Sequence, residues 1–155
     1  MGPTIKIDTR EQLPYRFTLP SEVGTLSVGD YSIVGLEDRI SIERKELNDL
    51  IGCITGGRER FERELERSKA FDYFALVVEG SLSDIAKHLY TSQVAPKSVV
   101  QSLLAFSIRY RRLPIFFCES RGYAQRITES LLEKYFKETQ KKMTFMEKVQ
   151  RSQQV

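Results

Sequence analysis

The stretch Asp30-Tyr31-Ser32-Ile33-Val34-Gly35-Leu36-Glu37-Asp38-Arg39-Ile40-Ser41-Ile42-Glu43-Arg44-Lys45 reads as two extended segments joined by a turn. Apolar and polar residues alternate on both sides of Gly35-Leu36-Glu37-Asp38, which is the pattern of a β-hairpin. With Gly35 opposite Asp38, Ile33 meets Ile40, Ser32 meets Ser41, Tyr31 meets Ile42, and Asp30 meets Glu43. Side chains alternate with period two, so Tyr31, Ile33, Ile40 and Ile42 share an apolar face, while Asp30, Ser32, Ser41 and Glu43 share the other. A slip of one residue mixes the two sets, so this register is specified. Lys45 follows Glu43 onto the polar face, and Arg44 points the opposite way.

Outward from the hairpin, Thr4-Ile5-Lys6-Ile7-Asp8 alternates as a first strand, and the extended region before the turn begins at about Thr25. From Glu46 the period lengthens: Leu47, Leu50, Ile51 and Ile54 fit one helical face, stopped by Gly56-Gly57. A charged helix from Arg58 to about Phe71 follows. Tyr73-Phe74-Ala75-Leu76-Val77-Val78 is a continuous apolar run, expected of a strand covered on both faces. Helices are expected over Ser81 to about Leu89 and Lys97 to about Arg109, then a buried strand Ile115-Phe116-Phe117-Cys118 and a last helix from about Tyr123 to Lys137. Strands alternating with helices in this order imply an α/β three-layer fold, with a mixed central sheet flanked by helices. Residues 1–137 form one domain on this reading. Residues 138–155 form a polar C-terminal extension, helical or disordered.

Composition narrows the chemistry. The 155 residues are 41% hydrophobic and 29% charged, enough for one soluble domain with a core of its own. The absence of a long apolar run or signal-like start gives the expectation of an intracellular protein with no membrane role. Cys53 and Cys118 make neither a disulfide framework nor a zinc site and read as buried free thiols. The net charge of +3 permits an anionic partner. His88 is the only histidine; it reads as a surface or capping residue, so triad chemistry is poorly supported.

The facing pair Asp30 and Glu43 is the chemical clue. Cross-strand partners have Cβ atoms about 4.5–5.5 Å apart, so two carboxylates there repel and need compensation. A hard divalent cation supplies it, because magnesium takes one or two protein carboxylates and also binds phosphate oxygens. Asp8 adds a third carboxylate if its strand lies beside the hairpin, and Glu11 is near enough in sequence to help. Metal chemistry of this kind activates water without histidine, with Lys45 stabilising the transition state or positioning the attacking water. The plainer alternative is two solvated charges on a sheet face, one of them neutralised by Lys45.

Gly29-Asp30-Tyr31, followed by Ile42-Glu43-Arg44-Lys45 and Asp49-Leu50-Ile51, resembles the GDY…ERKxxxDL signature of the XPF/Rad-type structure-specific nucleases. Ile7-Asp8-Thr9-Arg10-Glu11 is similar to that family's opening DxRE, Gly57-Arg58 with Phe61 to its GR…F, and Val77-Val78-Glu79-Gly80 to its central strand. The resemblance implies a restriction-endonuclease-like fold and a divalent-metal-dependent DNA endonuclease, using Mg2+ or Mn2+ and no small-molecule cofactor. Its implied substrate is branched or forked DNA near single-strand/double-strand junctions, as in DNA repair. It also implies Asp30, Glu43 and Asp8 as metal ligands, Lys45 as the catalytic lysine, and Arg10, Arg44, Arg58 and Asp49 as residues near the site. Localisation is then nucleoid-associated cytoplasm in a bacterium or phage host, or the nucleus in a eukaryote. The short chain lacks the tandem helix-hairpin-helix pattern of larger members and looks more like stand-alone bacterial and phage relatives. Family members pair through this domain, so a homodimer is expected, with apolar stripes on 97–109 and 123–137 as candidate surfaces. A non-catalytic DNA-binding or dimerisation module of the same family is the alternative.

Other basic residues divide less cleanly. The acids and bases of 58–69 pair at helical i,i+4 spacing and read as a mostly solvated face, Arg58 at the helix start excepted as a phosphate contact. Arg109, Arg111 and Arg112 are unopposed by acids in sequence and read either as phosphate-binding residues or as cations at a helix C-terminus. Glu79 either supports the metal centre or caps the next helix.

Overall fold

The structure is a computed structural model describing residues 2–154. Its elements run β1 (Ile5–Asp8), β2 (Ser21–Gly24), β3 (Tyr31–Ile33), β4 (Ile40–Glu46), α1 (Leu47–Ile54), α2 (Arg58–Ser68), β5 (Tyr73–Glu79), α3 (Leu82–Ala86), α4 (Pro96–Arg109), β6 (Ile115–Phe117) and α5 (Arg121–Gln153). The six strands form one mixed sheet in the order β2-β1-β3-β4-β5-β6. The β3–β4 hairpin keeps the expected register, with Tyr31 opposite Ile42. Strand β1 runs antiparallel beside β3, and β4 and β5 are parallel neighbours.

Two apolar layers sandwich the sheet. On one face Leu50, Ile51, Phe61, Leu65, Val99 and Phe106 from α1, α2 and α4 pack on Phe74, Leu76 and Val78. On the other, Ala124 and Leu132 of α5 pack with Tyr31, Ile33, Ile40, Ile42, Ala75 and Val77. Alternate residues of β5 therefore enter both layers, which explains its unbroken apolar sequence. The fold is α/β and restriction-endonuclease-like, as expected.

The hairpin's second face is not solvated. Ser32 and Ser41 are fully buried, and their hydroxyls donate to the main-chain carbonyls of Ile40 and Val28. Short polar side chains can line a buried layer when main-chain oxygens accept from them.

Several expected boundaries shift. The segment from Thr25 is extended as a strand only over β3, and β2 forms earlier, pairing in parallel with β1 at the sheet edge. Helix α3 stops at Ala86, and His88 just beyond it takes a left-handed φ of 56°. Strand β6 is an edge strand rather than a buried one, because only β5 pairs with it. Phe116 is accordingly 36% exposed instead of belonging to the core. Helix α5 continues unbroken through residue 137 to Gln153. The outermost residues of the two expected stretches, Met1 and Val155, lie outside the described residues.

Candidate active site

Asp30 sits where three strands meet. Its N–H donates to the Ile42 carbonyl at 2.9 Å, and its own carbonyl accepts from the Asp8 N–H at 2.9 Å. The preceding Gly29 has a φ of +82°, and a Cβ there would lie 1.9 Å from the Ser41 Oγ. Only glycine lets the chain enter the sheet at this point. The side chain of Asp30 then turns back onto β4, where its Oδ2 accepts from the Arg44 N–H at 2.8 Å. Glu43 and Lys45 leave the same face of β4, with Lys45 Nζ 3.4 Å from Glu43 Oε1 and 5.7 Å from the centre of the Phe61 ring.

These groups line a cleft of about 590 Å³ with Asp8, Arg10, Asp49, Cys53, Arg60, Glu64 and Arg67. Burial, with the Glu11 charge next, pushes the Asp30 carboxyl up to about 7. Burial, the Asp30 charge and Glu64 push Glu43 well above the usual carboxylate range. Burial works to lower the Lys45 pKa, but Glu43, Cys53 and Glu64 outweigh it and raise it. The cleft thus holds a fixed ammonium beside two carboxylates that resist being charged together.

Asp8 is brought beside Asp30, and both of its oxygens accept hydrogen bonds. Oδ1 accepts from the Leu26 N–H at 2.8 Å, while Oδ2 accepts from Arg10 Nε at 2.7 Å and from the Arg10 N–H at 3.1 Å. Burial opposes its ionisation, yet these bonds hold its carboxyl below the usual range. As placed, Asp8 anchors Arg10 through Oδ2, while Oδ1 accepts only the Leu26 N–H and keeps a lone pair with which a cation could be met. Among the described residues, no three histidine, cysteine, aspartate or glutamate side chains are grouped to hold a metal. The donor set that fits a hard divalent ion is the facing pair Asp30 and Glu43. One or two carboxylates, with water and phosphate oxygens completing the shell, suit magnesium.

Other expected site residues fall elsewhere. Glu11 accepts from the Tyr31 hydroxyl at 2.8 Å and lies 3.6 Å from Arg44, on the α5 side of the sheet. Glu79 neither enters the cleft nor caps α3, whose capping box is Ser81 with Asp84. It holds Arg44 instead, at 3.0 Å. Asp49 is exposed in the first turn of α1, at the cleft wall. Arg58 does not face the cleft, because its guanidinium packs over Phe106 and beside Glu62. Arg109 is opposed by an acid after all, donating to Glu62 Oε1 at 2.6 Å. Arg111 and Arg112 border a separate small cavity near Phe71 and Phe74.

The basic residues that do line the cleft, besides Arg10, Arg44 and Lys45, are Arg60 and Arg67, with Glu64 between them. The sequence carries a faint signal for this set. Phe61, Leu65 and Ser68 are the buried stripe of α2, and Arg60, Glu64 and Arg67 each precede one member of it, so they flank the buried face on its sheet-cleft side. Cys53, read as buried, is half-buried and lines the cleft, whereas Cys118 is buried as expected. His88 is exposed and 2.7 Å from the Ser92 carbonyl, away from the cleft.

The family model of the ERCC4 domain matches residues 7–131. The DNA repair endonuclease XPF of Cricetulus griseus is 28% identical over 142 residues, covering 83% of this chain and 15% of that protein. The 3′-flap repair endonuclease Xpf of Saccharolobus solfataricus is 23% identical over 111 residues, covering 71% of this chain and 43% of that protein. This chain therefore spans less than half the length of either curated relative. In fold it is similar to XPF from Aeropyrum pernix, with a TM-score of 0.63 at 21% identity, covering 83% of this chain and 64% of the other. A second structure of that protein, in complex with DNA, gives a TM-score of 0.65 at 19% identity over 88% and 66% of the two chains.

Proposed function

This chain belongs to the ERCC4 domain family, and from that premise and the cleft we propose that it is a divalent-metal-dependent DNA endonuclease. It hydrolyses a phosphodiester in branched DNA or at a single-strand/double-strand junction. The observation that carries this reading is the arrangement of half-buried Asp30 opposite buried Glu43 with Lys45 beside them, in a cleft walled by guanidinium groups. The names of two relatives as a repair and a 3′-flap endonuclease, and the DNA complex of a third, support the substrate class.

Asp30 and Glu43 are the residues that would hold Mg2+ or Mn2+, and such an ion when bound supplies Lewis-acid polarisation of the phosphodiester and a water of lowered pKa. The chain's own contributions follow from geometry and charge. The Arg44 N–H fixes one Asp30 oxygen, which leaves the other to face the cleft. Lys45 stays protonated beside Glu43, so it acts as a placed positive charge for the developing phosphate charge rather than as a general base. Arg10, held by Asp8 yet 69% exposed along its side chain, and Arg60 and Arg67 grip neighbouring phosphates. Asp8 positions Arg10. Leu104 and Ile108 on α4 remain exposed, and they support pairing of two copies through that helix, while the α5 stripe around Ala124 and Leu132 covers the sheet.

Incubation of the purified chain with labelled duplex, fork, flap and single-stranded DNA tests this reading, with Mg2+, Mn2+ or chelator, beside Asp30→Asn. Cleavage of junction DNA that needs metal and disappears in the variant is expected. Binding without cleavage under every condition overturns the enzyme in favour of a non-catalytic DNA-binding module.

A further inference from the structure

A second cavity, of about 1110 Å³, opens on the α5 side of the sheet between residues 13–17, the end of β4 and the start of α5. It meets the catalytic cleft edge to edge, because Arg44 and Asn48 line both. Its wall carries the guanidinium groups of Arg16, Arg44 and Arg121 against the carboxylates of Glu46 and Glu79. Arg44 is consumed by Glu79, Glu46 and Glu11, whereas Arg16 is exposed at the mouth.

The loop that carries Arg16 is held in place. Its N–H donates to Gln125 Oε1 at 2.9 Å, and Arg121 donates to the Leu13 carbonyl at 2.6 Å. The guanidinium groups of Arg44 and Arg121 lie 5.3 and 5.0 Å from the centre of the Tyr15 ring. Tyr15 is 2% exposed, and its hydroxyl is buried with no hydrogen-bond partner among the described residues. Buried polar groups are nearly always paired, so one left open beside a cavity points to a ligand or water that completes it. The first turn of α5, at the same rim, adds main-chain N–H groups that favour an anion.

We propose that this cavity is a second nucleic-acid subsite, taking single-stranded nucleotides of the substrate as they pass Asn48 out of the catalytic cleft. Exposed Leu13 and half-buried Phe17 at the rim, with the exposed guanidinium of Arg16 beside them, are the chemistry that holds unpaired nucleotides: bases against the apolar rim, phosphates on Arg16. The inference rests on the endonuclease reading and adds a path for the unpaired strand.

The test uses the whole chain in chelator, so that binding is read without cleavage. Fluorescence anisotropy compares a blunt duplex with the same duplex bearing a short oligothymidine tail. Arg16→Glu is expected to weaken the tailed DNA about tenfold and to lower its salt slope by about one, leaving the blunt duplex unchanged. An equal effect on both DNAs, or on neither, overturns the subsite. A photoreactive 5-iodouracil stepped along the tail is expected to crosslink to residues 13–17. Crosslinks confined to α2 overturn it independently of any effect of substitution on folding. If the wild-type chain binds neither DNA, the endonuclease reading fails as well. If it cleaves flap DNA with metal but crosslinks miss 13–17, the subsite alone fails.

Discussion

The main-chain N–H of Arg44 donates to Asp30 Oδ2 at 2.8 Å, which ties the carboxylate at the start of the hairpin to the strand that carries Glu43 and Lys45. Replacing Asp30 by asparagine keeps an acceptor for that N–H and removes one of two crowded charges. In chelator near pH 8, Asp30→Asn should therefore be more stable than wild type, because it relieves the repulsion that raises both carboxyls. Thermal unfolding with and without Mn2+ checks this, with a higher Tm than wild type in chelator and no further rise with metal. A lower Tm in chelator would mean that the pair is not mutually repulsive.

The same two carboxyls set a pH dependence. Asp30 is raised to about 7 and Glu43 is raised as well, so their effect on stability is fully favourable below the unfolded carboxylate pKa near 4 and is lost as pH rises through about 7. Asp8 and Glu129 are lowered, so their stabilisation is present above about 4 and is lost as pH falls through their folded values. Without metal, Tm should be highest near pH 4–5, decline toward pH 8, and recover with Mn2+ most strongly at the alkaline end. A Tm in chelator that rises steadily from pH 5 to 8 would contradict this.

Arg44 is held by Glu79 at 3.0 Å, with side-chain exposures of 13% and 7%. Breaking such a pair from one side leaves a buried charge uncompensated, so Arg44→Met should cost about 3–5 kcal/mol. The double variant Arg44→Met/Glu79→Leu should recover part of the loss, since the most buried of the acids paired with Arg44 is then gone while Glu11 is left without its cation. Urea unfolding of the two single variants and the double one measures the coupling, and strict additivity would show that the pair does not act as a unit.

Arg60 and Arg67 face the acidic pair, whereas Arg111 and Arg112 border another cavity. Arg60→Glu and Arg67→Glu should each weaken DNA binding and lower the salt slope by about one phosphate contact. Arg111→Glu and Arg112→Glu should leave both nearly unchanged. Anisotropy titrations at several salt concentrations distinguish these outcomes, and the reverse ranking would move the DNA track to the end of α4.

The hairpin register and the two-sided burial of β5 were legible because period-two alternation and an unbroken apolar run each have one consistent packing. The facing of Asp30 and Glu43 followed from the same arithmetic. The seats of Arg58, Arg109 and Glu79 were not legible, because the contacts that fix them, with Phe106, Glu62 and Arg44, come from residues distant in sequence. The seat of Arg60 and Arg67 depends on the rotation of α2 about Phe61 and Leu65, which only the packed core fixes. Strand β2 was missed because Ser21-Glu22-Val23-Gly24 sits exposed at the sheet edge, with almost no apolar signal to mark it.

Single-turnover cleavage of an end-labelled flap substrate in saturating Mn2+, by wild type, Glu43→Gln and Lys45→Met, tests the proposed catalytic centre most directly. The expected result is cleavage by wild type and a loss of about 10²-fold or more for each variant, with folding and DNA affinity kept. Cleavage by Glu43→Gln at the wild-type rate would contradict it.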